Sequence, residues 1–325
     1  MMNRRKYLLA GLAIAACLAA TSFASQASDW PSRSITLVVP LAPGGSTDAT
    51  ARLLAEHLRK ELGQQVVVEN RAGAGGNIGA ASVAKAEPDG YTLLMATNTL
   101  ATNVTLYKDM GFNLAEDLVP ISQVALIPNV LVVNNDVPAR TLKEFINYAR
   151  EQKDSVQYGS AGTGTSSHLT GALFGSMAQA EMLHIPYKGG APANTDLIGG
   201  QIQAVFAPMV EVLPYIESGK LHALGVTTKN RSPRLPEVPA IGEALPGFEF
   251  VLWNGVFAPV DTPPDIVDEL AKIVGKVMQE PAMRKQLSDL GSTPVGNTPA
   301  EFKKILQSEI EKSAELVKLS GARVD

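Results

Sequence analysis

Cysteine is nearly absent: Cys17 is the only one in 325 residues. It lies in the leader described below, so the mature chain has none. No disulfide then holds the fold, and its stability must come from a hydrophobic core. Histidine is scarce as well. His57, His168, His184 and His222 are the four, and none forms a spaced metal pair. Neither a metal nor a cofactor is expected. Basic residues are not in surplus. The formal net charge is −4 and becomes −7 when the three positive charges of Arg4, Arg5 and Lys6 leave with the leader. Phosphate backbones demand a basic surface, so nucleic acid is excluded as a partner. Low-complexity tracts and short-period repeats are missing, which excludes a solenoid.

What is present begins with an export signal over residues 1–27. A basic start is followed by the apolar run Tyr7 to Ala20 and then by small residues ending in Ser25-Gln26-Ala27. That run, about 14 residues, is too short to span a bilayer as a helix. Asn3-Arg4-Arg5-Lys6-Tyr7-Leu8-Leu9 resembles a twin-arginine signal. Ile14-Ala15-Ala16-Cys17 resembles a lipobox, but the apolar run continues past it, so lipidation of Cys17 is the lesser alternative. A periplasmic location follows.

Strands and helices alternate through the remaining length. Ile35 to Val39, Val66 to Val68 and Tyr91 to Met95 read as strands, with helices over 47–62 and 77–86 between them. From about residue 127 the pattern repeats. Strands are expected at Val130 to Val133, Val156 to Tyr158, Leu183 to Tyr187, Ala204 to Ala207, Ala223 to Thr227 and Phe250 to Ala258. Thr141, with Glu144 three residues on, caps a helix to Glu151. Continuous apolar strands separated by helices indicate mainly parallel sheets covered on both faces. Three closing helices, over 264–279, 282–290 and 299–319, have no sheet of their own and should return to the first half. The expectation is an α/β fold of two lobes, residues 28–126 plus 255–325 and residues 127–254, joined by two hinge crossings. Trp253, beside the return crossing, should report on closure.

Two loops carry the chemistry. Strand Ile35 to Val39 runs into Pro40-Leu41-Ala42-Pro43-Gly44-Gly45-Ser46-Thr47-Asp48 and a helix. Strand Val156 to Tyr158 runs into Gly159-Ser160-Ala161-Gly162-Thr163-Gly164-Thr165-Ser166-Ser167-His168 and a helix. Glycine lets a ligand approach the main chain, and free N–H groups at a helix start attract anions. Neither loop holds a lysine or arginine, so the expectation is an anion gripped by neutral donors. Asp48, in the first helical turn, reads chiefly as a cap or water-ordering group. Enzyme motifs fail on inspection. Ile78 stands where a dinucleotide fingerprint needs Gly or Ala. Gly159 to Ser166 has no P-loop lysine and no Gly-x-Ser-x-Gly elbow. The rival reading, a hydrolase using Ser166 or Ser167 with His168, lacks an orienting carboxylate.

Four segments, taken in order, resemble one family. They are Pro43 to Asp48; Asn70 to Gly76 followed by Pro88-Asp89-Gly90-Tyr91-Thr92-Leu93; Gly159 to Gly164 leading to His168; and Pro186-Tyr187-Lys188-Gly189. The family is that of the solute-binding proteins of tripartite tricarboxylate transporters, also called the Bordetella uptake gene family. The resemblance implies a two-lobed periplasmic-binding-protein fold and no enzyme activity. It implies a di- or tricarboxylate, acidic amino acid or aromatic acid as ligand, delivered to membrane permease subunits. A monomer is expected. It implies ligand contacts from Gly44, Gly45, Ser46, Thr47 and Asp48, partly through water, and from Gly162, Thr163, Gly164, Thr165, Ser166 and His168. Thr97, Asn98, Gly190, Ala191 and Asp196 complete the set. Leu41 stands where many relatives have an aromatic residue, so no stacking role carries over to it. A sensor that reports the ligand to a membrane signalling protein is a further alternative.

Overall fold

Apolar runs rich in β-branched residues become strands. In the computed structural model, which describes residues 30–152 and 156–324, Ile35–Val39 (β1), Val66–Asn70 (β2) and Thr92–Thr97 (β3) pair in parallel in the order β2-β1-β3. Strands β1 and β3 are largely buried, and the edge strand β2 is partly exposed. The leader, with its arginine pair and Cys17, lies outside the described residues. Parallel pairing needs crossovers, and helices Ser46–Leu62 (α1) and Asn77–Ala84 (α2) supply them. Leu54 and Leu58 of α1 are buried at the four-residue spacing seen in the sequence. Gly63 ends the helix in the left-handed region, its N–H donating to the Arg59 carbonyl.

After β3 come helix Asn98–Leu106 (α3), the long strand Leu118–Val133 (β4) and helix Leu142–Glu151 (α4). The Thr141–Glu144 capping box at the start of α4 forms as its spacing predicts. A second parallel group follows. Gln157–Ser160 (β5), Leu183–Pro186 (β6) and Ala204–Pro208 (β7) pair in the order β6-β5-β7. Helices Ser166–Ala178 (α5), Gly190–Ile198 (α6) and Met209–Glu217 (α7) follow these three strands.

Strand β4 joins the two groups. Over residues 118–128 it runs antiparallel to Val251–Pro259 (β9), which in turn pairs antiparallel with β3. Over residues 129–133 it pairs antiparallel with β7 and with His222–Val226 (β8). The first three-quarters of β4 was not expected as strand. Pro120 and Pro128 interrupt the apolar run, and a proline argues against a central strand. The register shifts beside Pro120 and again between Gln123 and Ala125, which absorbs the irregularity.

Alternate residues of β4 enter opposite core clusters. Leu131 and Val133 pack with Phe145, Phe174 and Phe206, whereas Val130 and Val132 pack with Leu197, Met209 and Val212. The chain closes with helices Pro264–Gln279 (α8), Pro281–Asp289 (α9) and Pro299–Ser320 (α10), with the two-residue strand Thr293–Pro294 (β10) pairing to β4. Phe302 and Leu306 of α10 pack with Val38, Leu94, Trp253 and Phe257, so the closing helices do return to the first strand group. Arg33 onward forms one compact unit.

Candidate binding cleft

Parallel strands present their carboxyl ends on one edge, where the turns into helices gather. Turns β1–α1, β3–α3, β5–α5, β6–α6 and β7–α7 all contribute to one cleft of about 850 Å³. The first three N–H groups of each helix have no partner inside the helix, so the cleft wall is rich in backbone donors.

In the first loop, Gly44 has φ +85°, which a residue with a Cβ resists. Its N–H donates to Asp48 Oδ2 at 3.0 Å. Arg52 Nε donates to the same oxygen at 3.0 Å, and Asn70 Nδ2 donates to Oδ1 at 3.0 Å. Burial opposes ionisation of Asp48, but the bonds from Arg52, Gly44 and Asn70 outweigh it and hold the carboxyl below its usual range. Asp48 therefore braces the loop, with both oxygens engaged. Thr47 Oγ1 accepts from Asn254 Nδ2 of β9 at 3.1 Å. The Ser46 N–H donates to Glu211 Oε1 of α7 at 3.0 Å.

The second loop is knotted by its own polar groups. Thr165 Oγ1 donates to the Gly162 carbonyl at 2.6 Å, and Ser167 Oγ accepts from the Ala161 N–H at 3.0 Å. Gly162 has φ +134° and Gly164 φ +80°. A Cβ on Gly164 would meet Leu106 Cδ2 at 2.5 Å. The third turn opens α6 with Gly189 at φ +110°. A Cβ on Gly190 would collide with Glu211 Oε2.

Of the residues singled out from sequence, Gly44, Gly45, Ser46, Thr47, Asp48, Thr97, Gly162, Thr163, Thr165, Ser166, Gly190 and Ala191 line this cleft. Asn98, Gly164, His168 and Asp196 stand behind its wall. Asn98 Oδ1 accepts from Thr97 Oγ1 at 3.0 Å, and its Nδ2 donates to the Val251 carbonyl. The Gly164 N–H donates to His168 Nδ1 at 3.1 Å. Asp196 Oδ2 accepts from the Tyr187 hydroxyl at 2.8 Å. The His168 ring stacks on His184 with centroids 3.8 Å apart. Burial pushes His168 down to about 4, and burial together with His168 pushes His184 down to about 3. His168 spends Nδ1 on the loop, and among the described residues no hydrogen bond joins its ring to Ser166 or Ser167. The hydrolase arrangement is not assembled.

Two charged groups on the cleft wall were missed. Lys188 is exposed and is the only basic side chain among the lining residues. It sits in a motif quoted from sequence, but an exposed lysine reads there as a solvated charge. Glu211 lies between Val210 and Val212, and nothing local marks it. Its role comes from a contact 165 positions away in the chain. Among the described residues no group of histidine, cysteine and acidic side chains is placed to hold a metal ion.

A model of the tripartite tricarboxylate transporter family receptor matches residues 50–322. Rpa4515 of R. palustris, solved with adipate, is 36% identical with a TM-score of 0.87, over 90% of this chain and 99% of its own. The periplasmic binding protein BugD is also 36% identical, with a TM-score of 0.84 over 90% and 99%. MatC of Rhodopseudomonas palustris, solved with bound malate, is 32% identical with a TM-score of 0.81 over 89% and 100%. The mixed α/β fold is that of the periplasmic binding proteins.

Proposed function

The chain belongs to the family of tripartite tricarboxylate transporter receptors, and on that premise we propose that it captures a small carboxylate outside the cytoplasm and hands it to membrane permease subunits. The observation that carries this reading is the convergence of helix starts α1, α5 and α6 on one cleft, with Lys188 on its wall. Unpaired N–H groups and the helix dipoles favour an anion there. Lys188 adds attraction at longer range, useful on a chain whose net charge is negative. Adipate in Rpa4515 and malate in MatC support a carboxylate as the ligand class.

Capture proceeds by closure. One lobe comprises residues 28–126 plus 255–325 and the other residues 127–254, with β4 and the start of β9 as the crossings. Loop β1–α1 then belongs to one lobe and loops β5–α5 and β6–α6 to the other, so an anion touching both favours the closed state by its differential affinity. The leader directs the protein to the periplasm, where it works as a monomer.

A thermal-shift screen of the purified mature protein against di- and tricarboxylates, acidic amino acids and aromatic acids tests the reading. The protein is first unfolded and refolded to strip any carried-over ligand. At least one acid raises the melting temperature, as binding to the native state requires. A flat response to the whole panel overturns the proposal.

A further inference from the structure

Glu211 belongs to α7, yet its carboxylate sits at the starts of two other helices. Oε1 accepts from the Ser46 N–H of α1 at 3.0 Å. Oε2 lies so close to Gly190, the first residue of α6, that a Cβ there would collide with it. The first arginine of α1, Arg52, pairs with Asp48 rather than with Glu211. A second acceptor shares this end of the cleft. Asn194 of α6 is 3% exposed and lines the cleft, and its Oδ1 is buried without a hydrogen-bond partner. The Ser46 N–H that α1 would offer a ligand carboxylate is thus already taken by a resident one, which also crowds the start of α6. A second carboxylate arriving there would meet like charge, and the buried acceptors would still lack a donor.

We propose that Glu211 sets the ligand class of this cleft: it reserves the end beside α1 and α6 for a hydrogen-bond donor, so the ligand carries one carboxylate and, opposite it, an amide, hydroxyl or ammonium group. The carboxylate goes to the N-terminus of α5, which also lines the cleft. The inference rests on the carboxylate-binding reading above and narrows it. A neutral or cationic donor group satisfies Glu211 and Asn194 together, whereas a simple dicarboxylate satisfies neither.

The test compares matched pairs by titration calorimetry: succinate with succinamate, glutarate with glutaramate, adipate with adipamate. In the unaltered protein the half-amide that fits binds about tenfold more tightly than its parent dicarboxylate, the effect of one hydrogen bond to a charged group. In Glu211→Gln the carbonyl still accepts from Ser46, but the charge is gone, so the preference shrinks towards unity or reverses. Dicarboxylates binding the unaltered protein as tightly as their half-amides overturn the inference by themselves, whether or not the variant folds. An unchanged ratio in a variant with a normal melting curve also overturns it. In both cases the carboxylate reading survives. If no acid of any kind binds either protein, that reading fails and takes the inference with it.

Discussion

Two carboxylates border the start of α1, and their surroundings shift them in opposite directions. Asp48 is held by Arg52, Gly44 and Asn70. Glu211 is driven towards its neutral form by burial, offset only in part by Ser46. The stability that Asp48 contributes is full above the ordinary aspartate value and is lost as pH falls through its lowered one. Asp48→Ala leaves the Gly44 N–H without its acceptor and the Asn70 amide with only the Leu41 carbonyl, and urea unfolding should show a loss of about 1–3 kcal/mol. A loss below the error of the measurement would show that water replaces the carboxylate freely. Glu211 runs the other way. Its raised value means that its contribution is present below the ordinary glutamate value and is lost as pH rises through the folded one. Glu211→Gln should therefore melt higher than the unaltered protein in neutral buffer, with the gap closing in acid. A gap constant with pH would assign the difference to packing instead.

At the scale of elements, positive-φ glycines shape the turns into α1, α5 and α6, and their neighbours leave them different amounts of room. Gly164 is the strictest case, combining φ +80° with Leu106 Cδ2 at 2.5 Å from a would-be Cβ. Gly63 also has a positive φ, +65°, but nothing lies within 4 Å of its would-be Cβ. Gly164→Ala should cost about 1–3 kcal/mol by overpacking, added to the backbone strain that Gly63→Ala shares. Equal chemical-denaturation midpoints for the two variants would refute the packing argument. The elements also show how far local pattern reaches. The Thr141–Glu144 box, the buried Leu54–Leu58 spacing, both ends of β1 and the start of β7 were legible, because their causes lie within a few residues. The start of β4 was not, because Pro120 and Pro128 are tolerated only through register shifts against β9. Helix α7, which contains Pro214, was missed for a similar reason.

Across the whole molecule, β9 links the cleft to the core beneath it. Leu252 lines the cleft and Asn254 holds Thr47, while Trp253 between them is 2% exposed and donates from Nε1 to Glu309 of α10. Phe302 of α10 packs edge-on against the same indole at 5.3 Å. Helix α10 also contacts α3 and α5, which follow the two parallel strand groups in turn. Ligand closure that moves β9 should alter Trp253 emission, and Trp253→Phe should abolish the ligand-dependent change. Persistence of the change in that variant would place its origin in Trp30 or the tyrosines.

Residue order alone suffices for the alternation of strands and helices, the glycine-rich turns and their capping groups, and the family to which the chain belongs. Each of these depends on neighbours within about ten positions or on the linear order of motifs. Which polar groups face the cleft and which stand behind it depends instead on how distant segments pack. Asn98, Gly164, His168 and Asp196 read from sequence like their neighbours, but their side chains or backbone are spent on bracing the loops. Nothing in the local sequence marked Glu211, and the helix that carries it was itself not expected. Glu211 faces the starts of α1 and α6 because strand pairing through β4 brings chain segments 165 positions apart into hydrogen-bond range. Electrostatic partnership falls off over a few ångströms, and distance along the chain does not report it.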